Sequence, residues 1–488
     1  MVTDVVDGLP TSDLAFHVEQ HGIDYIPLSE RWATPRAVAG LWAGASVNVE
    51  YLVYGAILMT FGFSFAEAVA IIVVGNLSWV LVGFASLQGP QAGTTVFGIN
   101  RAPFGPRGSK ALALCNWLTM LGFEAEGLIL IVGAGLVLAS KAGLHESTAL
   151  KAALILLAVA VQAVLPFLGH ATMTRVLRWL IGPFVVIYVV LAGFAAGTAH
   201  VAAASSGTSW QVWAQGLAFT IALSGLGWTE NGNDYSRYLP PDAPRRSIVG
   251  WLFVATAIPE IALMTLGAAI FSFVGEGSGT SSSWSLANPF GAFLHQHVLP
   301  GWLVVVFLVF VVAQLFGINS LDLYSSGVTL QALGVRVRRY HAVLIDSAIC
   351  MLITFYAVFN SQFSTLLKDF VAIVIVWIAP WCAIFLTDWL LRGRRYDVVA
   401  LQQTGRSSVY WSSAGINWAA IAAQVLGGLA ALSALSTSFL PTWMTPFTTH
   451  TGGADASIFL GLGVGAVVYV ALARSTVRAQ QSRSVLVD

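Results

Sequence analysis

The chain has 488 residues, 57% of them hydrophobic and only 9% charged, and its 23 basic side chains balance 23 acidic ones. Soluble domains carry about 25% charged residues, so this composition, with a mean hydropathy of +0.78, excludes an ordinary soluble enzyme or binding module and points to one continuous membrane domain. Cys115, Cys350 and Cys382 all lie in apolar runs with no CxxC or Cys/His cluster, which argues against a disulfide framework or a zinc site and for small apolar packing residues.

Residues 1–36 are polar and acidic (Asp4, Asp7, Asp13, Glu19, Asp24, Glu30), without the basic start and short apolar core of a secretory signal, and are expected to form a cytoplasmic tail. A hydrocarbon core about 30 Å thick needs about 20 apolar residues per helix. On that measure the sequence predicts twelve spans, at 37–60, 64–86, 110–138, 149–167, 174–198, 212–236, 250–274, 300–330, 342–360, 367–391, 414–436 and 455–474. The expected fold is all-α and integral to the membrane. Its first half (37–198) holds spans 1–5 and its second (212–391) spans 6–10. Peripheral spans 11 and 12 (414–474) and a C-terminal cytoplasmic tail (475–488) follow.

Basic residues orient these spans. With a cytoplasmic N-terminus, twenty of the 23 fall on the inner side, from Arg31 and Arg36 to Arg474, Arg478 and Arg483. Only Lys141, Lys151 and Lys368 are left outside, the asymmetry of a cell-membrane protein with both termini in the cytoplasm. The Gly- and Ser-rich outer loop 275–299 carries His295 and His297, read as loop residues because no further ligands accompany them.

Ionisable groups inside spans are costly and are functional candidates by default. They include Glu50 in span 1, Glu124 and Glu126 in span 3, Glu230 and Asp234 in span 6, Glu260 in span 7 and Asp322 in span 8, none of these with an intramembrane Lys or Arg at helical spacing. Such acids suit a proton carrier, or else simply hydrogen-bond a neighbouring helix. Glu124 and Glu126 stand about 200° apart around a helix, so at most one faces a ligand beside Phe123. Spans 1 and 6 are interrupted. The first contains Gly44-Ala-Ser-Val-Asn-Val-Glu-Tyr51, and the second Ser224-Gly-Leu-Gly-Trp-Thr-Glu-Asn-Gly-Asn-Asp234. Broken helices persist at membrane depth only where the freed backbone lines a cavity or is buried in protein. Breaks at corresponding positions of two five-helix halves point to an inverted-repeat transporter with a site at mid-membrane. A glycine-rich packing interface accounts for the glycines but not for Glu230, Asn231, Asn233 and Asp234. In span 8, Asn319 and Asp322 share a face, an amide and an acid able to read the edge of a planar heterocycle. Trp228 and Phe123 offer rings for stacking.

At these residues the sequence resembles the nucleobase–cation symporter family, purine–cytosine permease branch. The similarity runs through Glu19-Gln-His-Gly-Ile-Asp-Tyr-Ile-Pro27, Gly89-Pro-Gln-Ala-Gly-Thr94, Asn100-Arg-Ala-Pro-Phe-Gly105, Asn233-Asp-Tyr-Ser-Arg-Tyr-Leu-Pro240 and Asp322-Leu-Tyr-Ser-Ser-Gly with Leu330-Gln-Ala-Leu-Gly334. The resemblance implies a leucine-transporter-like 5+5 inverted repeat and alternating access around spans 1, 3, 6 and 8. It implies substrate-binding roles for Ser46, Asn48, Phe123, Gly127, Gly227, Trp228, Asn319 and Asp322. Cation or proton coupling would fall on Glu124, Glu126, Glu230 and Asp322. This chain departs from the family pattern at Phe123, where tryptophan is common, at Gly127 in place of an asparagine, at Thr229-Glu-Asn231, and at Asp322 where some relatives have asparagine. Sodium-coupled members use a Ser/Thr pair in span 8, and no Ser or Thr stands between Val304 and Ile318, so a proton is favoured over sodium as the coupling ion.

The expected partners are a small nucleobase and the lipid bilayer, with no cofactor, metal, nucleic acid or obligatory protein partner. No ring of like charge suggests a channel. No HExxH or P-loop suggests a membrane enzyme or a primary pump. A transporter of the same fold for another small polar solute, such as a hydantoin, allantoin, a thiamine-like compound or an amino acid, is the alternative.

Overall fold

The structure, a computed structural model, describes residues 23–163, 169–198, 207–275, 290, 300–335, 339–360, 363–437 and 439–484. The start of the N-terminal motif, His295 and His297, Arg336 and Arg338 lie outside the described residues. All regular elements among the described residues are helical. Eight of those helices are long and apolar enough to cross a bilayer, and the bent pair Pro35–Ser46 and Val49–Met59 makes a ninth. The predicted positions of spans 4, 6 and 11 hold shorter helices, Thr148–Gln162, Trp210–Leu223 and Trp418–Ser433.

Span 1 starts where Thr34 caps the amide of Ala37 and Pro35 takes the first helical position, which needs no amide donor. It bends by 52° after Ser46. There Val47 and Asn48 leave the helical region before a second helix restarts under the Asn48 cap. Span 6 stops at Leu223, winds tightly as a 3-10 turn over Gly225–Asn231, and resumes for one turn at Gly232–Ser236. Both predicted interruptions are present.

Around these breaks span 7 (Arg245–Gly275) packs on spans 1 and 2, while span 8 (Gly301–Ala332) packs on span 3 (Gly108–Lys141). Span 9 (Arg339–Asn360) also covers span 3, and span 12 (Ser457–Gln481) braces spans 10 and 11. Each of the two inner groups therefore draws neighbouring spans from both halves of the chain.

Buried arginines close one end of the bundle. Arg31 donates to the carbonyls of Ile26 and Pro90. Arg101 reaches Leu401 at 2.7 Å, and Arg392 pairs with Asp388 at 2.7 Å while donating to Ala102 and Gln480. These contacts bring the N-terminal segment, the connections after spans 2 and 10, and the end of span 12 to one side. The opposite end joins the other connections: Thr208 to Glu67, Lys368 to Thr60, and Gln211 and Gln215 to the carbonyls of Thr451 and Gly453. Arg237, which the sequence reading places in an inner loop, is fully buried beside the broken end of span 6. The motif Gly89–Gly105 folds into three one-turn helices within this arginine-closed end. Its Gly105 has φ +83° and a Cβ there would meet the Gly415 carbonyl at 2.6 Å, so only glycine fits.

Candidate functional site

The break in span 1 leaves the carbonyl of Val47 and the amide of Val49 without helical partners. Gln314 of span 8, which the sequence reading missed, satisfies both. Its Oε1 accepts from Val49 N at 3.2 Å, and its Nε2 donates to the Val47 carbonyl. Tyr188 of span 5 donates to the same Oε1 at 2.5 Å, so one carboxamide ties spans 1, 5 and 8. The polar Gln within an apolar stretch was the only signal available for it.

The two span-1 candidates are engaged by neighbouring groups. Asn48 accepts from the Glu50 amide and donates to Glu50 Oε2 at 2.9 Å, capping the second helix. Ser46 donates to Glu260 Oε1 at 2.9 Å, and Trp79 Nε1 donates to Glu260 Oε2 at 2.7 Å. Glu260 thus links spans 1, 2 and 7 as a hydrogen-bonded acid.

In span 3, Glu124 and Glu126 diverge as their spacing requires. Glu124 is fully buried and accepts from Gln162 Nε2 of span 4 at 2.9 Å. Asn319 of span 8 donates to Gln162 Oε1 at 3.0 Å and to the Glu124 carbonyl at 3.1 Å. Gly127 admits this amide: a Cβ at 127 would stand 2.0 Å from Asn319 Oδ1. Glu126 is within electrostatic reach of Glu50, and Asp322 is within reach of Glu50, Glu124, Glu126 and Glu230 alike. Acids from spans 1, 3 and 8 therefore converge, and among the described residues no Lys or Arg is paired with them.

Span 6 completes the arrangement. Trp228, in the 3-10 turn, is half-buried, donates from Nε1 to the Tyr51 hydroxyl at 3.1 Å, and meets Trp42 edge-on at 5.8 Å. Gly227 precedes it where a Cβ would lie 2.3 Å from the Ala222 carbonyl. Glu230 and Asn231 are buried; neither Glu230 oxygen nor Asn231 Oδ1 has a hydrogen-bond partner among the described residues. Asp234 accepts from the Val96 amide at 3.2 Å and so anchors the loop after span 2. Phe123 is half-buried and packs edge-on against Phe370 of span 10 at 5.0 Å.

A cavity of about 590 Å³ opens at the end opposite the buried arginines. Its lining includes Phe61 at the end of span 1, Gln215 and Phe219 of span 6, Lys368 and Asp369 of span 10, and Asp455. Lys368 lies over the Phe61 ring at 4.5 Å, and Phe61 contacts Phe219 at 5.6 Å.

Broken helices, a half-buried indole and, in spans 1, 3 and 8, buried acids with no paired Lys or Arg among the described residues are features of a solute carrier, and the comparisons agree. The sequence pattern of permeases for cytosine/purines, uracil, thiamine and allantoin matches residues 25–461, and the chain belongs to that family. It is a membrane transporter and not an enzyme. It is 27% identical over 472 residues to the putative purine-cytosine permease YxlA of Bacillus subtilis (strain 168), covering 93% of this chain and 96% of the relative. It is 23% identical over 475 residues to the purine-cytosine permease fcyB of Emericella nidulans, covering 93% and 88%. Among solved structures, Mhp1, a nucleobase-cation-symport-1 family transporter in a closed conformation with bromovinylhydantoin bound, superposes with a TM-score of 0.71. That match covers 95% of this chain and 98% of Mhp1 at 18% identity, and shows a shared leucine-transporter-like fold.

Proposed function

We propose that the protein imports a purine- or cytosine-type nucleobase across the cell membrane together with a proton, both termini lying in the cytoplasm. The observation that carries this reading is Trp228, held half-buried on the unwound stretch of span 6 beside the unfilled acceptor oxygens of Glu230 and Asn231. An indole face stacks on any planar base, and unpaired buried acceptors select a ligand that brings donors, as an exocyclic amine or a ring N–H does. The names of YxlA and fcyB support the same substrate class. Transport would proceed by alternating access of the repeats 37–198 and 212–391, with the cavity beside Phe61 and Phe219 as the outer approach.

Two observations favour the proton over sodium. The Val47 carbonyl, freed by the break in span 1, is occupied by the Gln314 amide instead of standing open to a metal ion. Glu50, Glu126 and Asp322 lie within electrostatic reach of one another, with no paired Lys or Arg among the described residues, and buried acids so placed suit a proton carrier. The test is uptake of radiolabelled cytosine, competed by adenine, guanine, hypoxanthine, hydantoin and allantoin, with and without sodium and with a protonophore. Competition by purines, in sodium-free buffer and abolished by the protonophore, is expected. Competition by hydantoin or allantoin alone would move the substrate to the alternative class, and a strict sodium requirement would reverse the choice of ion.

A further inference from the structure

A second cavity, of about 630 Å³, lies at the arginine-closed end between spans 2, 7 and 10. Its walls are apolar and face outward: Phe84 is 44% and Leu390 55% exposed, joined by Leu87, Val249 and Leu386. Its rim is basic, with Arg245 and Arg246 at the first turn of span 7 and Arg394 just past span 10. All three side chains are exposed, and none has a carboxylate partner among the described residues. Trp389 also lines the cavity; it is only 4% exposed, yet its Nε1 has no acceptor. Arg394 lies over the Trp389 ring at 5.9 Å, so the indole helps hold one cation at the rim.

An apolar groove open to the bilayer's side and three exposed arginines at its mouth together describe a single ligand chemistry. We propose that this groove binds an anionic phospholipid of the cytoplasmic leaflet. The phosphate would rest among Arg245, Arg246 and Arg394, and an acyl chain would lie along Phe84 and Leu390. Guanidinium groups suit phosphate because their donors form a fork. The bundle end that carries them is the one the basic residues place in the cytoplasm, where anionic lipids gather polybasic segments. The cavity's volume falls within the range of small-ligand sites.

Native mass spectrometry of the full-length detergent-solubilised protein, titrated with phosphatidylglycerol or phosphatidylcholine, tests this. Phosphatidylglycerol should be retained at the lower concentration. The preference should fall roughly fivefold for each arginine replaced in Arg245→Ala, Arg246→Ala and Arg394→Ala. Gly250→Phe keeps all three arginines but fills the groove; a Cβ at 250 meets nothing within 4 Å, so the variant should fold and lose the retained lipid. Equal retention of both lipids by the wild-type protein overturns the proposal. So does undiminished retention by Gly250→Phe, which would reduce the arginines to general surface charge. Displacement of the lipid by inorganic phosphate at equal concentration would instead make the site one for a free anion. If the arginine variants fail to fold, the wild-type comparison and Gly250→Phe still decide.

Discussion

The breaks in spans 1 and 6 occupy corresponding places in the two halves of the chain but are finished differently. In span 1 two residues leave the helix, and the polar groups at the break itself find protein partners, although Trp42 Nε1 one turn earlier has none among the described residues. Asn48 caps, Gln314 clamps the backbone, and Ser46 donates to Glu260. In span 6 a seven-residue 3-10 turn separates the helical parts, and Glu230 and Asn231 are left with unfilled acceptors beside the half-buried Trp228. A sealed break is a joint, whereas an unsealed one has hydrogen-bonding capacity to offer a solute. Under the proposed function, this difference would give span 1 a positioning role and span 6 a recognition role, although both segments look alike as polar interruptions in an apolar run.

Four substitutions probe that contrast. Trp228→Ala should have the largest effect: loss of roughly 1–3 kcal/mol of stacking should all but abolish uptake, with membrane abundance unchanged by immunoblot. Uptake at wild-type rate would remove span 6 from the site. Gln314→Leu should act on stability instead. It strands two buried backbone groups at about 1–3 kcal/mol each, read as a lower melting temperature in detergent; an unaltered melting curve would mean that the span-1 joint is held by something else. Asp322→Asn removes one member of the acid cluster and should flatten the pH dependence of uptake while leaving expression intact. A variant with the wild-type pH profile but poor expression would make Asp322 a packing residue. Smallest in stability should be Glu230→Gln. The carboxyl makes no hydrogen bond to lose, so the melting temperature should stay within the roughly 0.5 kcal/mol scatter of neutral changes while base selectivity shifts. A large drop in melting temperature there would show that the span-6 break is sealed after all.

Much of this architecture is legible along the chain. Hydropathy places the helices because each must be apolar over its own length, and that is a local property. The polar strings around Asn48 and Trp228 mark both breaks for the same reason: an interruption shows against its immediate neighbours. Even the divergence of Glu124 and Glu126 follows from helical spacing, and the structure hydrogen-bonds one to Gln162 and brings the other within electrostatic reach of Glu50. Less legible are groups whose meaning depends on what they meet. Gln314 reads as one amide in an apolar helix, and its role exists only because span 1 unwinds 265 residues away in sequence. Ser46 and Asn48 read as free polar groups at mid-membrane until Glu260 and the second helix claim them. Arg237 counts as a loop charge by its position, but the fold buries it.

By itself, then, the amino-acid order determined that the chain is a bundle of apolar helices and where two of them break, because these depend on side-chain polarity over one or two helical turns. Only the tertiary structure decided which acids converge, which break is sealed, and which arginines serve as internal clasps or rim a groove. Those outcomes rest on contacts between spans far apart in the chain, where a hydrogen bond or a cavity is formed jointly by residues that carry no sign of one another in sequence.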